Sequence, residues 1–240
     1  AGDEAIPPRP SFLFYDIVIR GCGAIPVGVP FKSHSTDLDG MLARISSKTR
    51  LIFVNNPHNP TGSLISRESL ETFIAALPTN IVLAIDEAYF EFVKDRGCPA
   101  SIDYLQSDKI VVGLRTFSKA YGLAGLRVGY GLMPSFLADL LNRVRQPFNV
   151  NSLALAGAIA ALEDEVSTKL FDRTQQGALL TAGGEVFLRH VAFGRIAQAK
   201  RENAQTILRL ILRLIGAQVK DKAIDLDEYT SQSYTTFERC

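Results

Sequence analysis

The chain has 240 residues, 47% of them hydrophobic and 21% charged, a globular composition able to bury a sizeable core. The formal net charge of +1 gives no global electrostatic attraction to nucleic acid or to an anionic membrane surface. The longest apolar runs, such as Ile81 to Ile85, are far short of a membrane span, and the three cysteines (Cys22, Cys98, Cys240) have no metal or redox spacing. With the acidic start Ala1-Gly2-Asp3-Glu4, unlike a signal peptide, these features lead to the expectation of a cytoplasmic protein without a metal site.

In chain order, Asp3 to Pro10 reads as a strand end leading into a proline-rich loop, and Phe12, Phe14 and Tyr15 begin a helical segment. Ile25 to Val29 reads as a strand closed by Pro30. Asp37 starts a short helix, because Leu38, Met41, Leu42 and Ile45 recur at helical spacing. Arg50 to Asn55 is a continuous apolar run with a polar end, as a buried parallel strand shows. Ser66 reads as the N-cap of a helix whose apolar face is Leu70, Phe73, Ile74 and Leu77, ended by Pro78. Ile81 to Ile85 and Ile110 to Leu114 are further buried strands, and Arg127 to Met133 is another strand candidate. Leu137, Leu140, Leu141 and Val144 mark a helix stopped before Pro147, and residues 153–162 mark a further apolar helix. This order predicts an α/β chain with a mostly parallel sheet.

In such sheets ligands bind at the carboxyl ends of the strands. The polar stretches that stand out each follow a strand. Asn55-Asn56-Pro57-His58-Asn59-Pro60-Thr61-Gly62 has two Asn-Pro pairs and a glycine, which make a rigid irregular turn. His58 in that turn receives no role. Asp86-Glu87-Ala88-Tyr89 puts a carboxylate after a buried strand, where it serves either as a helix N-cap or as the partner of a cationic ring nitrogen. Thr116-Phe117-Ser118-Lys119 is followed, eight positions after the lysine, by Arg127. Hydroxyls and a guanidinium hold a phosphate dianion while an amine bonds an aldehyde carbon, so this is the neighbourhood a Schiff-base lysine needs; taken alone, the same residues read equally as a strand end with a solvated lysine and ordinary turn glycines.

Taken together, Asn-Pro-x-Asn-Pro-Thr-Gly, Asp-Glu-Ala-Tyr and Thr-Phe-Ser-Lys with its downstream arginine resemble the fold-type I aminotransferases that use pyridoxal 5′-phosphate. Within that group, Leu114 to Tyr130 and Val144 to Ser152 closely resemble the histidinol-phosphate aminotransferases, and the resemblance covers about residues 1–162. It implies the three-layer α/β/α large domain of that family, a homodimer, and transamination between histidinol phosphate and 2-oxoglutarate in histidine biosynthesis. It implies Lys119 as the catalytic amine and Asp86 as the partner of the pyridinium nitrogen. Tyr89 and Asn59 are implied to hydrogen-bond the phenolic oxygen, and Thr116, Ser118 and Arg127 to bind the phosphate. Phe12, after Pro10-Ser11, matches the aromatic that stacks on the pyridine ring, and reads equally as a core phenylalanine. The family's Gly-rich phosphate turn, the tyrosine offered to the partner subunit and the arginine for the substrate carboxylate have no match in this sequence.

Residues 162–188 resemble instead the wing region of LysR-type transcriptional regulators. Lys169 to Arg173 reads as a wing strand, Gln175-Gln176-Gly177 as its turn, and Thr181 as the cap of a following helix. A long helix is expected from Ile196, with Asn203, Ile207, Leu210, Ile211 and Leu214 on one face, and residues 216–240 read as a polar tail. The expected organisation is an incomplete aminotransferase large domain (1–162), a partial winged helix-turn-helix-like segment with a linker helix (163–215) and the tail. DNA and membrane partners are not expected: most of the helix-turn-helix has no match in the sequence, and residues 153–162 lack the polar side chains of a reading helix. A regulator fragment fused to an aminotransferase piece, or a composite chain without activity, are the alternative readings.

Overall fold

The computed structural model of the chain describes residues 2–165, 169, 171–174 and 177–181. Its strands are β1 (Glu4–Ile6), β2 (Pro8–Arg9), β3 (Ile25–Pro26), β4 (Val29–Pro30), β5 (Thr49–Asn55), β6 (Val82–Asp86), β7 (Ile110–Thr116), β8 (Gly129–Leu132), β9 (Phe171–Thr174) and β10 (Gly177–Leu180). The helices are α1 (Phe14–Gly21), α2 (Leu38–Ala43), α3 (Arg67–Ala76), α4 (Ser135–Val144) and α5 (Ser152–Glu165), with short 3-10 turns at Phe90–Phe92, Ser101–Tyr104 and Ala124–Leu126. The chain divides into two compact units, residues 1–124 with 129–138, and residues 125–128 with 139–240.

The first unit is built on a six-stranded sheet of order β3-β1-β5-β6-β7-β8. All its pairings are parallel except β7 with β8, which is antiparallel. The two-residue periodicity of a strand sorts its residues between two faces. Ile52 and Val54 of β5, with Leu83 and Ile85 of β6, pack on one face against Leu70, Phe73 and Ile74 of α3 and Met41 of α2. Phe53 and Ala84, one position out of phase, pack on the other face against Tyr15 and Ile19 of α1. Burial on both faces is why these strands read as unbroken apolar runs, and it makes the unit the three-layer α/β/α arrangement expected.

Local chemistry ends the elements where the sequence indicates. Asp37 caps α2 through its side chain, accepting from the Gly40 N–H at 2.9 Å, and Ser66 caps α3, accepting from the Ser69 N–H at 3.2 Å. One expected strand is divided. The Ile25–Val29 run becomes β3 on the edge of the main sheet and β4 paired with β2 in a separate two-stranded ribbon. Backbone bonds continue across the gap, from the Val27 N–H to the Ala5 carbonyl at 2.8 Å and from the Val29 N–H to the Pro7 carbonyl at 3.0 Å, but Pro7 between β1 and β2 has no N–H to return one.

In the second unit α5 takes up the apolar run 153–162, and β9 and β10 form an antiparallel pair with Phe171 opposite Leu180 and Thr174 opposite Gly177. This pair lies where the wing strand was expected. The expected turn residues Gln175 and Gln176, the helix from Ile196, and the 216–240 tail lie outside the described residues.

Candidate active site

Three adjoining parallel strands of the first unit end side by side. Asn55 at the end of β5 is in register with Asp86 at the end of β6, and Asp86 with Leu114 of β7, which continues to Thr116. The polar stretches singled out in the sequence therefore leave one edge of the sheet together.

Asp86 shares the sheet face of Ala84, the face covered by α1. There the Tyr15 hydroxyl donates to Asp86 Oδ2 at 2.5 Å, and the Ala88 N–H donates to Oδ1 at 3.0 Å. Burial pushes the Asp86 carboxyl above the usual carboxylate range, while the hydrogen bonds from Tyr15 and Ala88 pull the other way by favouring the anion. Burial, and then the Asp86 charge, push the Tyr15 phenol well above its ordinary value, so it stays a donor. The Tyr15 ring is stacked on Phe53 at 4.6 Å and meets the edge of the exposed Phe12 ring at 5.8 Å.

The Asn55–Gly62 turn is tied to the same strand end. The Asn56 N–H and Asn55 Nδ2 both donate to the Asp86 carbonyl, at 2.9 and 3.3 Å, and the Asn59 N–H donates to Asn55 Oδ1 at 2.8 Å. Asn59 is thus set by Asn55, a fully buried amide. His58 is 3% exposed, packs on the Phe31 ring at 4.4 Å and pairs through Nδ1 with Thr61 Oγ1 at 3.0 Å. Burial lowers its pKa below the ordinary 6.5, so the neutral ring is a structural part of the turn. Asn59 and Tyr89 line a cavity of about 600 Å³ together with Pro57, His58, Phe92 and Lys94; Lys119 and Asp86 are not on its wall.

The exposed Lys119 places its Nζ over the Tyr89 ring, 5.1 Å from the centroid. In the turn before it the Ser118 N–H donates to Thr116 Oγ1 at 3.0 Å, and the Leu123 N–H closes back on the Phe117 carbonyl at 3.0 Å. Of the eight residues singled out, the structure gathers Phe12, Asn59, Asp86, Tyr89, Thr116, Ser118 and Lys119 on the first unit. Arg127, with a left-handed φ of 55°, belongs to the second.

The sequence reading missed a buried ion pair behind this edge. Glu87 is fully buried, on the sheet face opposite Asp86, and accepts from Arg115 Nε at 2.8 Å, Ser101 Oγ at 2.9 Å and the Ser101 N–H at 2.5 Å. Burial works against the Arg115 charge, but the Glu87 carboxylate outweighs it and holds the guanidinium pKa above its ordinary value. The Arg115 guanidinium also lies over the Phe90 ring at 4.3 Å. The signal was two opposite charges on adjacent apolar strand ends. Tyr15 was read only as a helix start, and its pairing with a residue 71 positions away has no local signature.

A family model for class I and II aminotransferases matches residues 1–177. The histidinol-phosphate aminotransferase 2 of Carboxydothermus hydrogenoformans is 48% identical over 165 residues, covering 68% of this chain and 46% of that protein. The aromatic amino acid aminotransferase of Corynebacterium diphtheriae is 48% identical over 164 residues, covering 68% and 48%. Among solved structures, histidinol-phosphate aminotransferase from Sinorhizobium meliloti in complex with pyridoxal-5′-phosphate is similar with a TM-score of 0.65 at 35% identity, covering 70% of this chain and 46% of that one. The chain spans about half the length of the curated relatives it matches. The family match runs through all the strand-end turns described above and on past α5, and the chain belongs to the class I and II aminotransferases.

Proposed function

We propose that the chain carries the pyridoxal-phosphate core of an aminotransferase that moves an amino group between histidinol phosphate and 2-oxoglutarate in histidine biosynthesis. One observation carries this reading. A primary amine, Lys119, and a half-buried, hydrogen-bonded carboxylate, Asp86, leave adjacent strand ends with Tyr89 beside the amine. That donor set fits the cofactor: an amine for its aldehyde carbon, an anion for its ring nitrogen, and hydroxyls for its phosphate. When bound, pyridoxal phosphate supplies an electron sink for the substrate α-carbon.

The chain's own residues then divide the work. Lys119 Nζ holds the cofactor covalently and moves the proton at the α-carbon. Asp86 keeps the ring nitrogen protonated. Tyr89 and Asn59 orient the phenolic oxygen, Thr116, Ser118 and Arg127 hold the phosphate, and Phe12 covers the ring face. Histidinol phosphate is favoured as donor because proteins 44–48% identical to this chain bear that name, although an aromatic amino acid enzyme is equally similar. The reading includes a cytoplasmic homodimer and the division of the chain at residues 162 and 215.

The test is an absorption titration of the full chain with pyridoxal phosphate, followed by histidinol phosphate. The expected result is a visible band that Lys119→Ala abolishes and that histidinol phosphate changes. No band in the wild-type chain would sink the cofactor reading. A band changed only by aromatic amino acids would sink the donor.

A further inference from the structure

Tyr15 is 6% exposed, and its ring is held between the Phe53 face, at 4.6 Å and 13° from parallel, and the Phe12 edge. A phenylalanine would fill the same stack. What the tyrosine adds is a buried hydroxyl, and a buried hydroxyl without an acceptor is costly. Its acceptor is Asp86 Oδ2. The other carboxylate oxygen is taken by the Ala88 N–H. Two donors on two oxygens fix the rotation of the carboxylate about its Cβ–Cγ bond, and each oxygen keeps a free lone pair for a cationic N–H.

We infer that Tyr15 is a positioning residue of the cofactor site, whose hydroxyl holds the Asp86 carboxylate in one orientation and in its anionic form for the ring nitrogen of pyridoxal phosphate. The inference rests on the cofactor reading above and extends it to a residue outside its set. Without the hydroxyl, Asp86 keeps one donor, rotates more freely and is more readily neutralised by burial. A neutral carboxyl does not hold a ring nitrogen protonated. The same dependence exists in the cofactor-free chain, because the hydrogen bond is internal to the fold.

Two measurements on the full chain test it. In pyridoxal phosphate titrations, Tyr15→Phe should weaken affinity about tenfold, the effect of one hydrogen bond to a charged group at the lower end of its range. The far-UV spectrum of the cofactor-free chain should be retained. In an Asp86→Ala background, the same substitution should cost nothing further, because the hydroxyl acts only through that carboxylate. Unchanged affinity in Tyr15→Phe, or an equal loss in the Asp86→Ala background, would show that the residue only packs. The second measurement is a carbon-13 titration of the Asp86 carboxyl in the cofactor-free chain, where Tyr15→Phe should move the midpoint to higher pH. An unmoved midpoint overturns the inference. If the wild-type chain takes up no cofactor, the cofactor reading fails, and the carboxyl titration still decides whether Tyr15 governs Asp86.

Discussion

Residue by residue, the strand-end edge has a half-open polar side and a buried, ion-paired side. Asp86 and Glu87 are neighbours in sequence, yet alternation puts them on opposite faces of the sheet. Asp86 lies with Tyr15 on the α1 face. Glu87 is sealed on the other face with Arg115 and Ser101. Removing one member of a buried pair leaves an uncompensated charge, which typically costs about 3–5 kcal/mol. Glu87→Ala is therefore expected to lower unfolding free energy in denaturant titrations by that order, whereas Asp86→Ala removes a carboxylate disfavoured by burial and costs less. Equal losses in the two variants would show that the pair does not carry this edge.

At the scale of elements, β7 can pass close to the Ser101–Tyr104 turn only because residue 113 is glycine. A Cβ there would sit 1.9 Å from Ser101 Oγ and 2.7 Å from Ser101 Cβ. Ser101 is also a double donor to Glu87, so moving it aside opens that network. Gly113→Ala is expected to destabilise by about 1–3 kcal/mol, as overpacking does, despite alanine's ordinary fit to a strand. A crystal structure of the variant should show Ser101 displaced from Glu87; a stable variant with Ser101 in place would refute the account. The caps of α2 and α3 show the opposite case. Asp37 and Ser66 act on N–H groups three residues away, so both were legible as sequence signals.

On the scale of the whole molecule, stability against acid joins distant parts of the first unit. His58 is buried neutral with a lowered pKa, so its contribution is complete above 6.5 and is lost as pH falls from there through the folded value. Asp86 has a raised pKa, so its contribution has the opposite sign: complete below 3.8, and lost as pH rises through the folded value. Below 6.5 the His58 loss is therefore expected to dominate first. Unfolding free energies measured from pH 7 downward should fall less steeply in His58→Gln than in the wild-type chain, and identical slopes would exclude this role.

The sequence by itself determined most of the elements and which polar turns leave one edge of the sheet together. Continuous apolar runs ending in Asn55, Asp86 and Thr116 announce parallel strands whose carboxyl ends meet, because a strand buried on both faces must be apolar throughout and breaks into polarity only where it leaves the core. The turn chemistry of Asn59 and the Thr116–Lys119 stretch was legible for the same local reason. Only the tertiary structure decided which groups set those residues in place. Tyr15 reaches Asp86 across 71 positions, Arg115 reaches Glu87 across 28, and the Ile25–Val29 run is split between two sheets by what lies beside it. Periodicity shows that a residue is buried and on which face. The partner it meets there depends on strand order and helix packing, which no local pattern encodes.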